Sequence, residues 1–367
     1  MLTNKKLYIT YVGRLEKEKG IEIVLSCIKK SLEENRNIIW NICGDGSYKK
    51  QFDSIDHPNV IVHGYINKDQ LQSILKETNL VLMPSLFLET FGLVALETLS
   101  LGVPVCGFNK GGLKDFIHPD LVLDLLDSVN SFFKIVDTGT FPMVDITAFS
   151  YEKWMETLTK LTEGAQKILV VNDYIGQVGG AEEYVDGLTR ALTSLGKVVE
   201  IYGYRGKINR FIRIFLMIIS PFAFWRGKNM EKKIQDFQPD LIWMHSILRY
   251  IGPFGINKIV EYKSKKYISY HDLGLICARP SAIYSESDIP MNPDLASWIP
   301  KKVSIISILS ILPKWLYIRW IWYFLSKNTS ISHIIPSPWM KSIFQKYCLS
   351  DPIVYPHTTS INNQVKL

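Results

Sequence analysis

The first half of the chain alternates short apolar runs with segments whose apolar residues recur every three or four positions. The runs are typical of buried strands, and the recurring pattern is typical of amphipathic helices. Strands are predicted at residues 7–12, 38–43, 60–65, 80–84 and 103–108. Helices are predicted at residues 21–31, 68–78 and 151–161. This alternation predicts a parallel sheet with helices on both faces.

The pattern restarts after residue 166. A strand at residues 167–173 leads through a glycine-rich turn into a helix that ends near Leu195, where Gly196 supplies a C-cap. Further strands are predicted at residues 198–204, 240–245, 266–271 and 333–336. The sequence therefore predicts an α/β protein with two Rossmann-like domains, at residues 1–166 and 167–367, joined by a short linker at residues 162–166.

The most informative motif is Glu89-Thr-Phe-Gly-Leu-Val-Ala-Leu-Glu97, which follows the predicted strand at residues 80–84. A strand that leads through a loop into a helix leaves free backbone N–H groups at the positive end of the helix dipole, which suits an anionic ligand. Glu89 and Glu97 would both face a molecule bound there. The alternative is that Glu89 is an ordinary first-turn glutamate and Glu97 a solvated one.

Further motifs accompany this one at characteristic spacings. They are Tyr11-Val-Gly-Arg-Leu-Glu-Lys-Glu-Lys-Gly20, Asn41-Ile-Cys-Gly-Asp-Gly46, His63-Gly-Tyr-Ile66, Gly102-Val-Pro-Val105 and Gly111-Gly112. Together they closely resemble the nucleotide-sugar-binding domain of the family 4 glycosyltransferases with the GT-B fold. The resemblance is dense over residues 7–115 and becomes weaker towards residue 165.

The resemblance implies a role for each matching position. Arg14 and Lys19 would neutralise the two phosphates of the donor, Glu97 would bind the ribose hydroxyls, and Glu89 would lie by the transferred sugar. Without the resemblance, the pattern of residues 14–19 favours a solvated turn rich in lysine and glutamate over a phosphate site. The other implied contacts to base, sugar and phosphate are Tyr65, Ile66, Thr90, Phe91, Gly92 and Leu93.

The second half resembles the acceptor-side domain, which normally comes first in that family. The resemblance rests on Gly179-Gly-Ala-Glu182, Pro239-Asp-Leu-Ile242, His271-Asp272, Pro336-Ser-Pro-Trp-Met-Lys341 and Val354-Tyr-Pro-His357. It implies that Gly179 and Gly180 approach the diphosphate and that His271 faces the sugar across a central cleft. A glycine pair is otherwise often a simple turn, and a histidine at a strand end is often structural. The domain order is that of a circular permutant, or of a chain spliced from two genes.

The resemblance predicts a retaining glycosyltransferase that moves a sugar from a nucleotide-diphosphate donor, UDP- or GDP-linked, to a hydroxyl acceptor. Glu89, His271, Arg14 and Lys19 would be its catalytic residues, and departure of the diphosphate would be assisted electrostatically. The sequence contains no Asp-x-Asp motif or His/Cys cluster, so we expect no metal and no cofactor. The alternatives are a catalytically degenerate scaffold with the same fold and a glycoside hydrolase that uses Glu89 and Glu97, which would leave Arg14 and Lys19 unexplained.

Charge and composition add a membrane hypothesis. Residues 1–166 carry 17 Lys and Arg against 21 Asp and Glu, whereas residues 167–367 carry 25 against 14, a net charge of −4 beside one of +11. Basic residues Arg210, Arg213 and Arg226 flank an apolar stretch, and residues 303–326 are rich in Trp, Leu and Ile. Residues 210–226 and 303–326 therefore predict contact with an anionic membrane, which suits a lipid-linked or glycan acceptor. The alternative is a pair of core helices.

The chain carries no recognised nucleic-acid-binding motif. Its five cysteines are scattered, with no Cys-x-x-Cys pair, and residues 1–6 do not form a secretory signal. We therefore expect reduced thiols and a cytoplasmic protein, peripheral on the inner face of the cell membrane, that serves cell-surface polysaccharide or glycolipid synthesis.

Overall fold

The computed structural model describes residues 6–176, 180–206, 212, 215–216, 219–276, 283–289, 305–326, 330–345 and 351–358. These residues form two compact units. The first contains residues 6–151, 283–286 and 358, and the second contains the remaining described residues, from 152 to 357.

The first unit is built on a five-stranded sheet in which all neighbouring strands are parallel. Its strands are β1 (Leu7–Val12), β2 (Ile38–Cys43), β3 (Val60–Gly64), β4 (Leu80–Met83) and β5 (Val105–Gly107), in the order β3-β2-β1-β4-β5. Its helices are α1 (Ile21–Glu33), α2 (Lys49–Asp53), α3 (Lys68–Glu77), α4 (Leu93–Ser100) and α5 (Ser128–Thr138). The strand order reverses between β1 and β4, and ligands of such sheets bind beyond the carboxyl ends of the strands at that point.

The core of the first unit explains why these segments are strands. Every residue of β2 is buried, as expected of a central parallel strand covered on both faces. Trp40 of β2 is fully buried and lies 5.6 Å, centroid to centroid, from Phe132 of α5. Cys27, Cys43 and Cys106 are buried free thiols, and burial raises the pKa of Cys27 and Cys43 to about 12. The other two cysteines lie outside the described residues.

The second unit is built on a six-stranded sheet, also parallel throughout. Its strands are β6 (Lys167–Tyr174), β7 (Val198–Tyr204), β8 (Leu241–Met244), β9 (Lys265–Ser269), β10 (Ile331–Ile335) and β11 (Ile353–Val354), in the order β11-β10-β9-β8-β6-β7. Its helices are α6 (Tyr151–Leu161), whose first residue belongs to the first unit, α7 (Gly180–Ser194), α8 (Phe224–Phe237), α9 (Gly252–Glu261), α10 (Ile305–Ser326) and α11 (Pro338–Phe344). The predicted α/β class with two Rossmann-like units is confirmed.

Helix α6 packs with the second sheet. The ring of Trp154 stacks on that of Tyr355 at 5.5 Å and 14°, and the hydroxyl of Tyr267 donates to the carbonyl of Leu161 at 2.7 Å. The division between the units therefore lies at residue 151, fifteen residues before the predicted domain boundary at 166.

The two stretches predicted to contact a membrane contribute to the interior of the second unit. Ile318, Ile321 and Leu325 of α10 are buried, as a core helix requires. Arg226 of α8 is 4% exposed and donates to the hydroxyl of Ser220 and the carbonyl of Arg249, so it is not available to a lipid headgroup. Within the described part of the chain, no helix is long and apolar enough to span a bilayer. Arg210 and Arg213 lie outside the described residues.

Candidate functional site

The loops that follow β1 and β4 meet at the reversal of strand order in the first unit. The backbone N–H of Leu86 donates to the carbonyl of Glu18 at 2.9 Å, which joins the two loops. Gly20 has φ +72°, and a Cβ there would lie 1.9 Å from the carbonyl oxygen of Pro84. Glycine at position 20 is therefore required by the close approach of the loops and by its left-handed backbone. The same contact places Lys19 beside the loop that carries Glu89.

Lys19 and Glu89 form an ion pair across this junction. The Nζ of Lys19 lies 2.6 Å from Oε1 of Glu89, and the side chains are 20% and 14% exposed. The same oxygen accepts a hydrogen bond of 2.9 Å from the hydroxyl of Ser85. Lys19 also lies over the ring of Phe87, 4.7 Å from its centroid. Glu89, predicted to bind the sugar, and Lys19, predicted to bind phosphate, are thus paired with each other in this structure.

Arg14 lies in the same loop but is largely exposed. Its side chain is 59% exposed and pairs with Glu18 at 3.2 Å. Its carbonyl accepts a 2.7 Å hydrogen bond from the hydroxyl of the buried residue Tyr11. Burial, assisted by the charge of Glu89, raises the pKa of Tyr11 above its ordinary value, so this hydroxyl stays a donor. The backbone at Arg14 is held in place, whereas its exposed guanidinium would have to leave Glu18 to bind a ligand.

Helix α4 begins at the mouth of the same site. Gly92 is its N-cap residue with φ +102°, and no side chain among the described residues caps this end of the helix. The first N–H groups of α4, from Leu93 onwards, therefore suit an anion. Phe91 is 2% exposed and packs edge-on against Phe116 at 5.2 Å, so only its backbone can serve a ligand. Thr90 is half-buried in the same turn.

Glu97 lies in the second turn of α4 and is 19% exposed. Its Oε1 lies 3.9 Å from Nζ of Lys68, the first residue of α3. Tyr65 and Ile66 precede α3, with Tyr65 76% exposed and Ile66 half-buried. Through Lys68, Glu97, predicted to bind the ribose, lies close to the segment that carries Tyr65 and Ile66, predicted to contact the base.

In the second unit, three histidines stack where β8, β9 and β11 end. The Nδ1 of His245 lies 3.1 Å from Nε2 of His271, and the ring of His271 lies 5.3 Å from the rings of both His245 and His357. The ring of Tyr184 packs edge-to-face with His271 and His357 and lies tilted beside His245. Burial lowers the pKa of His271 to about 4 and those of His245 and His357 well below the usual range. At neutral pH both rings are therefore neutral, and one of them donates its N–H to the ring nitrogen of the other.

A cavity of about 110 Å³ borders this stack. Asp173, which lines it, is buried, and its carboxylate accepts from the backbone N–H groups of Arg249, Tyr250 and Ile251. Burial outweighs these hydrogen bonds and raises the pKa of Asp173 to about 6.

The predicted glycine pair of the second unit is described only in part. Gly180 is the first residue of α7, so the predicted helix start is confirmed. Gly179 lies outside the described residues. Within the described chain, no group of three or more His, Cys, Asp and Glu side chains is arranged to hold a metal ion.

Several residues that complete these contacts were missed by the sequence analysis. Ser85, Lys68 and His245 each contact a predicted site residue, namely Glu89, Glu97 and His271. A signal existed for His245, because it is the last residue of a predicted strand, as His271 is. Ser85 also follows its strand closely, but a serine in a loop carries no chemical signal of its own.

Comparison with known proteins supports the reading of the first unit. Residues 2–121 match the family model "Glycosyl transferases group 1", so the chain contains a domain of that kind. An uncharacterized 41.2 kDa protein in the cps region of Klebsiella pneumoniae is 34% identical over 138 residues, which cover 37% of each chain. An uncharacterized glycosyltransferase of Methanocaldococcus jannaschii is 34% identical over 118 residues, covering 31% of this chain and 30% of its own.

The matches thus span about a third of the length of these relatives. Among solved structures, the catalytic domain of cholesterol-alpha-glucosyltransferase from Helicobacter pylori aligns over 36% of this chain and 86% of its own. That alignment has 19% identity and a TM-score of 0.32.

Proposed function

We propose that this protein is a retaining glycosyltransferase, which moves a sugar from a nucleotide-diphosphate donor, UDP- or GDP-linked, to a hydroxyl acceptor. The observation that carries the proposal is the contact between Lys19 and Glu89 beside the uncapped start of α4, inside a group 1 domain. A cation for phosphate and a carboxylate for sugar hydroxyls are held at the point where sheets of this type bind ligands.

The chemistry follows from how this contact must change. A diphosphate that enters would draw Lys19 away from Glu89, because the phosphate carries more negative charge than one carboxylate. Arg14, whose side chain is exposed, would turn to the same group. Together with the first N–H groups of α4, these cations would stabilise the negative charge that builds up as the bond between the sugar and the diphosphate breaks.

Release of Lys19 would leave Glu89 free to accept hydrogen bonds from the sugar. Ser85 donates to Glu89, so the carboxylate keeps a fixed position after the lysine has moved. Glu97 would bind the ribose hydroxyls, for which two acceptor oxygens are suited. We propose that the acceptor hydroxyl attacks from the face on which the diphosphate departs. The bond between the sugar and the diphosphate breaks as the bond to the acceptor oxygen forms, and a departing phosphate oxygen takes the hydroxyl proton. This course retains the anomeric configuration without a metal.

We further propose residues 1–166 as the donor-binding domain and residues 167–367 as the acceptor-side domain, in circularly permuted order. The acceptor-side domain would supply His271, Gly179 and Gly180. The relative from the cps region of Klebsiella pneumoniae supports a role in cell-surface polysaccharide or glycolipid synthesis. The acceptor would be a glycan or a lipid-linked glycan, and the protein would work in the cytoplasm.

The test of the donor site is thermal stability against UDP, GDP, ADP, TDP and CDP. A ligand that binds only the folded state at a hundredfold excess over its Kd stabilises the protein by about 2.7 kcal/mol. We expect a rise in Tm with one nucleotide that is lost in Arg14→Ala and Glu97→Ala. Lys17→Ala is the matched control, because Lys17 lies in the same loop, is 67% exposed and pairs with Glu22. Absence of a shift with all five nucleotides would refute the proposed donor site.

The scaffold alternative is separated by turnover. A degenerate protein would bind a nucleotide but would not release it from the nucleotide sugar, with or without an added acceptor. For an active enzyme, the product anomer read by NMR decides between retention and inversion, and activity in EDTA decides whether a metal is needed.

Membrane contact is proposed on a separate observation. Phe222, Phe224 and Trp225 are 73%, 62% and 46% exposed, next to exposed Lys228 at the start of α8. Adjacent exposed aromatics beside basic residues suit the interface of an anionic membrane. We expect the wild-type protein to float with phosphatidylglycerol vesicles. The variant in which Phe222, Phe224 and Trp225 are all replaced by serine should remain at the bottom of the gradient.

The control for this experiment is a second exposed apolar pair. Leu125 and Leu126, in the first unit, are 50% and 96% exposed. Their double serine variant should float like the wild type. Flotation of the triple variant would remove the assignment of the membrane contact to α8.

A further inference from the structure

The first unit contains a short piece of the second half of the chain. Of the described residues, 152–276 belong to the second unit, 283–286 belong to the first, and those from 287 to 357 belong to the second again. We name residues 283–286 the crossing segment. Ordering this stretch of backbone against the first unit costs conformational entropy, which its contacts must offset. Those contacts therefore show which part of the first unit the segment holds in place.

The crossing segment is anchored to the loop after β4. The backbone N–H of Leu88 donates to the carbonyl of Ile283 at 2.8 Å, and both residues are buried, with 3% and 2% of their surface exposed. Glu286 also pairs with Lys114 at 3.1 Å, but these side chains are 56% and 46% exposed. Exposed ion pairs contribute little. The anchor is therefore the buried main-chain hydrogen bond and the buried isoleucine.

The anchored residue directly precedes Glu89. The loop around Glu89 is held by further main-chain hydrogen bonds, from Leu86 to the carbonyl of Glu18 at 2.9 Å and from Gly112 to the carbonyl of Glu89 at 2.7 Å. These two partners belong to the first half of the chain. The second half of the chain supplies Ile283, which binds Leu88. Leu88 lies in the loop between Leu86 and Glu89, the residues held by the other two hydrogen bonds.

We propose that the crossing segment positions Glu89, so that the second half of the chain contributes to recognition of the donor sugar within the first unit. Ile283 is then a positioning residue that acts through the Leu88 backbone, and its influence falls on the sugar. Recognition of the nucleotide is assigned to Arg14, Lys19 and Glu97. Lys19 is linked to the segment through its ion pair with Glu89, and a looser pair would favour the plain nucleotide, which shifts the affinity ratio in the same direction. This inference rests on the proposed function.

The test compares Ile283→Ala with Ile28→Ala, which removes the same atoms from a site in α1 that is 1% exposed. Calorimetric titrations give Kd values for UDP against UDP-glucose and for GDP against GDP-mannose. Loss of support equivalent to one hydrogen bond predicts that Ile283→Ala weakens binding of the sugar nucleotide about threefold or more relative to the plain nucleotide. We expect Ile28→Ala to leave this ratio unchanged. If Ile283→Ala does not fold, Ile283→Val is the milder variant.

Hydrogen exchange at the Leu88 amide is the second readout. We expect it to accelerate in Ile283→Ala and to stay protected in Ile28→Ala. An unchanged affinity ratio, or equal changes in the two variants, overturns the inference while the nucleotide site stands. If the wild-type protein binds neither nucleotide, the proposed function fails. Hydrogen exchange at the Leu88 amide then tests by itself whether the crossing segment holds this loop. Unchanged protection of that amide in Ile283→Ala would show that it does not.

Discussion

Substitution of Glu89 by glutamine gives the sharpest test of the site. The Lys19–Glu89 pair has a 2.6 Å contact and side chains that are 20% and 14% exposed. It is screened less than a surface pair, which contributes about 0–1 kcal/mol, and more than a fully buried pair, whose disruption costs about 3–5 kcal/mol. We therefore expect Glu89→Gln to lower the free energy of unfolding by about 1–2 kcal/mol.

The same change should strengthen nucleotide binding. In the wild-type protein a diphosphate must take Lys19 from Glu89, so the energy of the pair opposes binding. Glu89→Gln removes that competition, and 1 kcal/mol corresponds to about a fivefold change in Kd. We expect the Kd for the preferred nucleoside diphosphate to fall about fivefold. The nucleotide sugar should gain less, because the variant also loses the carboxylate that accepts from the sugar.

Isothermal titration measures both affinities, and urea melts measure the loss of stability. Glu33→Gln is the matched control, because Glu33 pairs with Lys29 at 3.8 Å and its side chain is 63% exposed. It should change neither quantity by a measurable amount. Weaker binding of the plain nucleotide by Glu89→Gln would refute the idea that Lys19 moves from the carboxylate to the phosphate.

Other expectations concern the loop junction, the buried histidines and the base. Gly20→Ala should destabilise the first unit by more than about 2 kcal/mol in urea melts, since its Cβ would lie 1.9 Å from the carbonyl of Pro84. Gly102→Ala, with φ +79° and no atom within 4 Å of the new Cβ, should cost only about 1 kcal/mol; equal costs would contradict the junction. His333 is buried, and burial lowers its pKa to about 4, so the unfolded chain binds more protons between pH 6.5 and 4 and this contribution to stability is lost on acidification. His333→Gln should reduce the acid-induced loss by up to about 3 kcal/mol, and an unchanged pH profile of unfolding would contradict this. Tyr65→Ala should weaken nucleotide binding by about 1–3 kcal/mol if its exposed ring stacks on the base, and an unchanged Kd would contradict that role.

The sheet of the first unit is predictable because its strands are short apolar runs that end in loops rich in glycine. β1 and β2 have their predicted bounds, and β3, β4 and β5 end within one residue of prediction. Helix α5 was not predicted, although its buried residues Phe132, Phe133, Ile135 and Val136 have a helical spacing. The residues on either side of α5 show no regular spacing of apolar positions, so the helical spacing within α5 was not recognised.

The contacts within the site are less predictable than its members. Lys19 and Glu89 are 70 positions apart and meet because β4 pairs with β1. Strand order is a tertiary property that no local pattern contains. The same limit applies to Ile283, whose position in the first unit depends on where the chain crosses.

The crossing segment also determines how the protein can be divided. A cut at residue 151 or 166 would yield a first unit without residues 283–286, and hence without the acceptor for the Leu88 amide. Chimeras that exchange this unit with that of a relative must therefore carry the segment across as well. The two halves of the chain are not interchangeable modules, even though each has its own sheet.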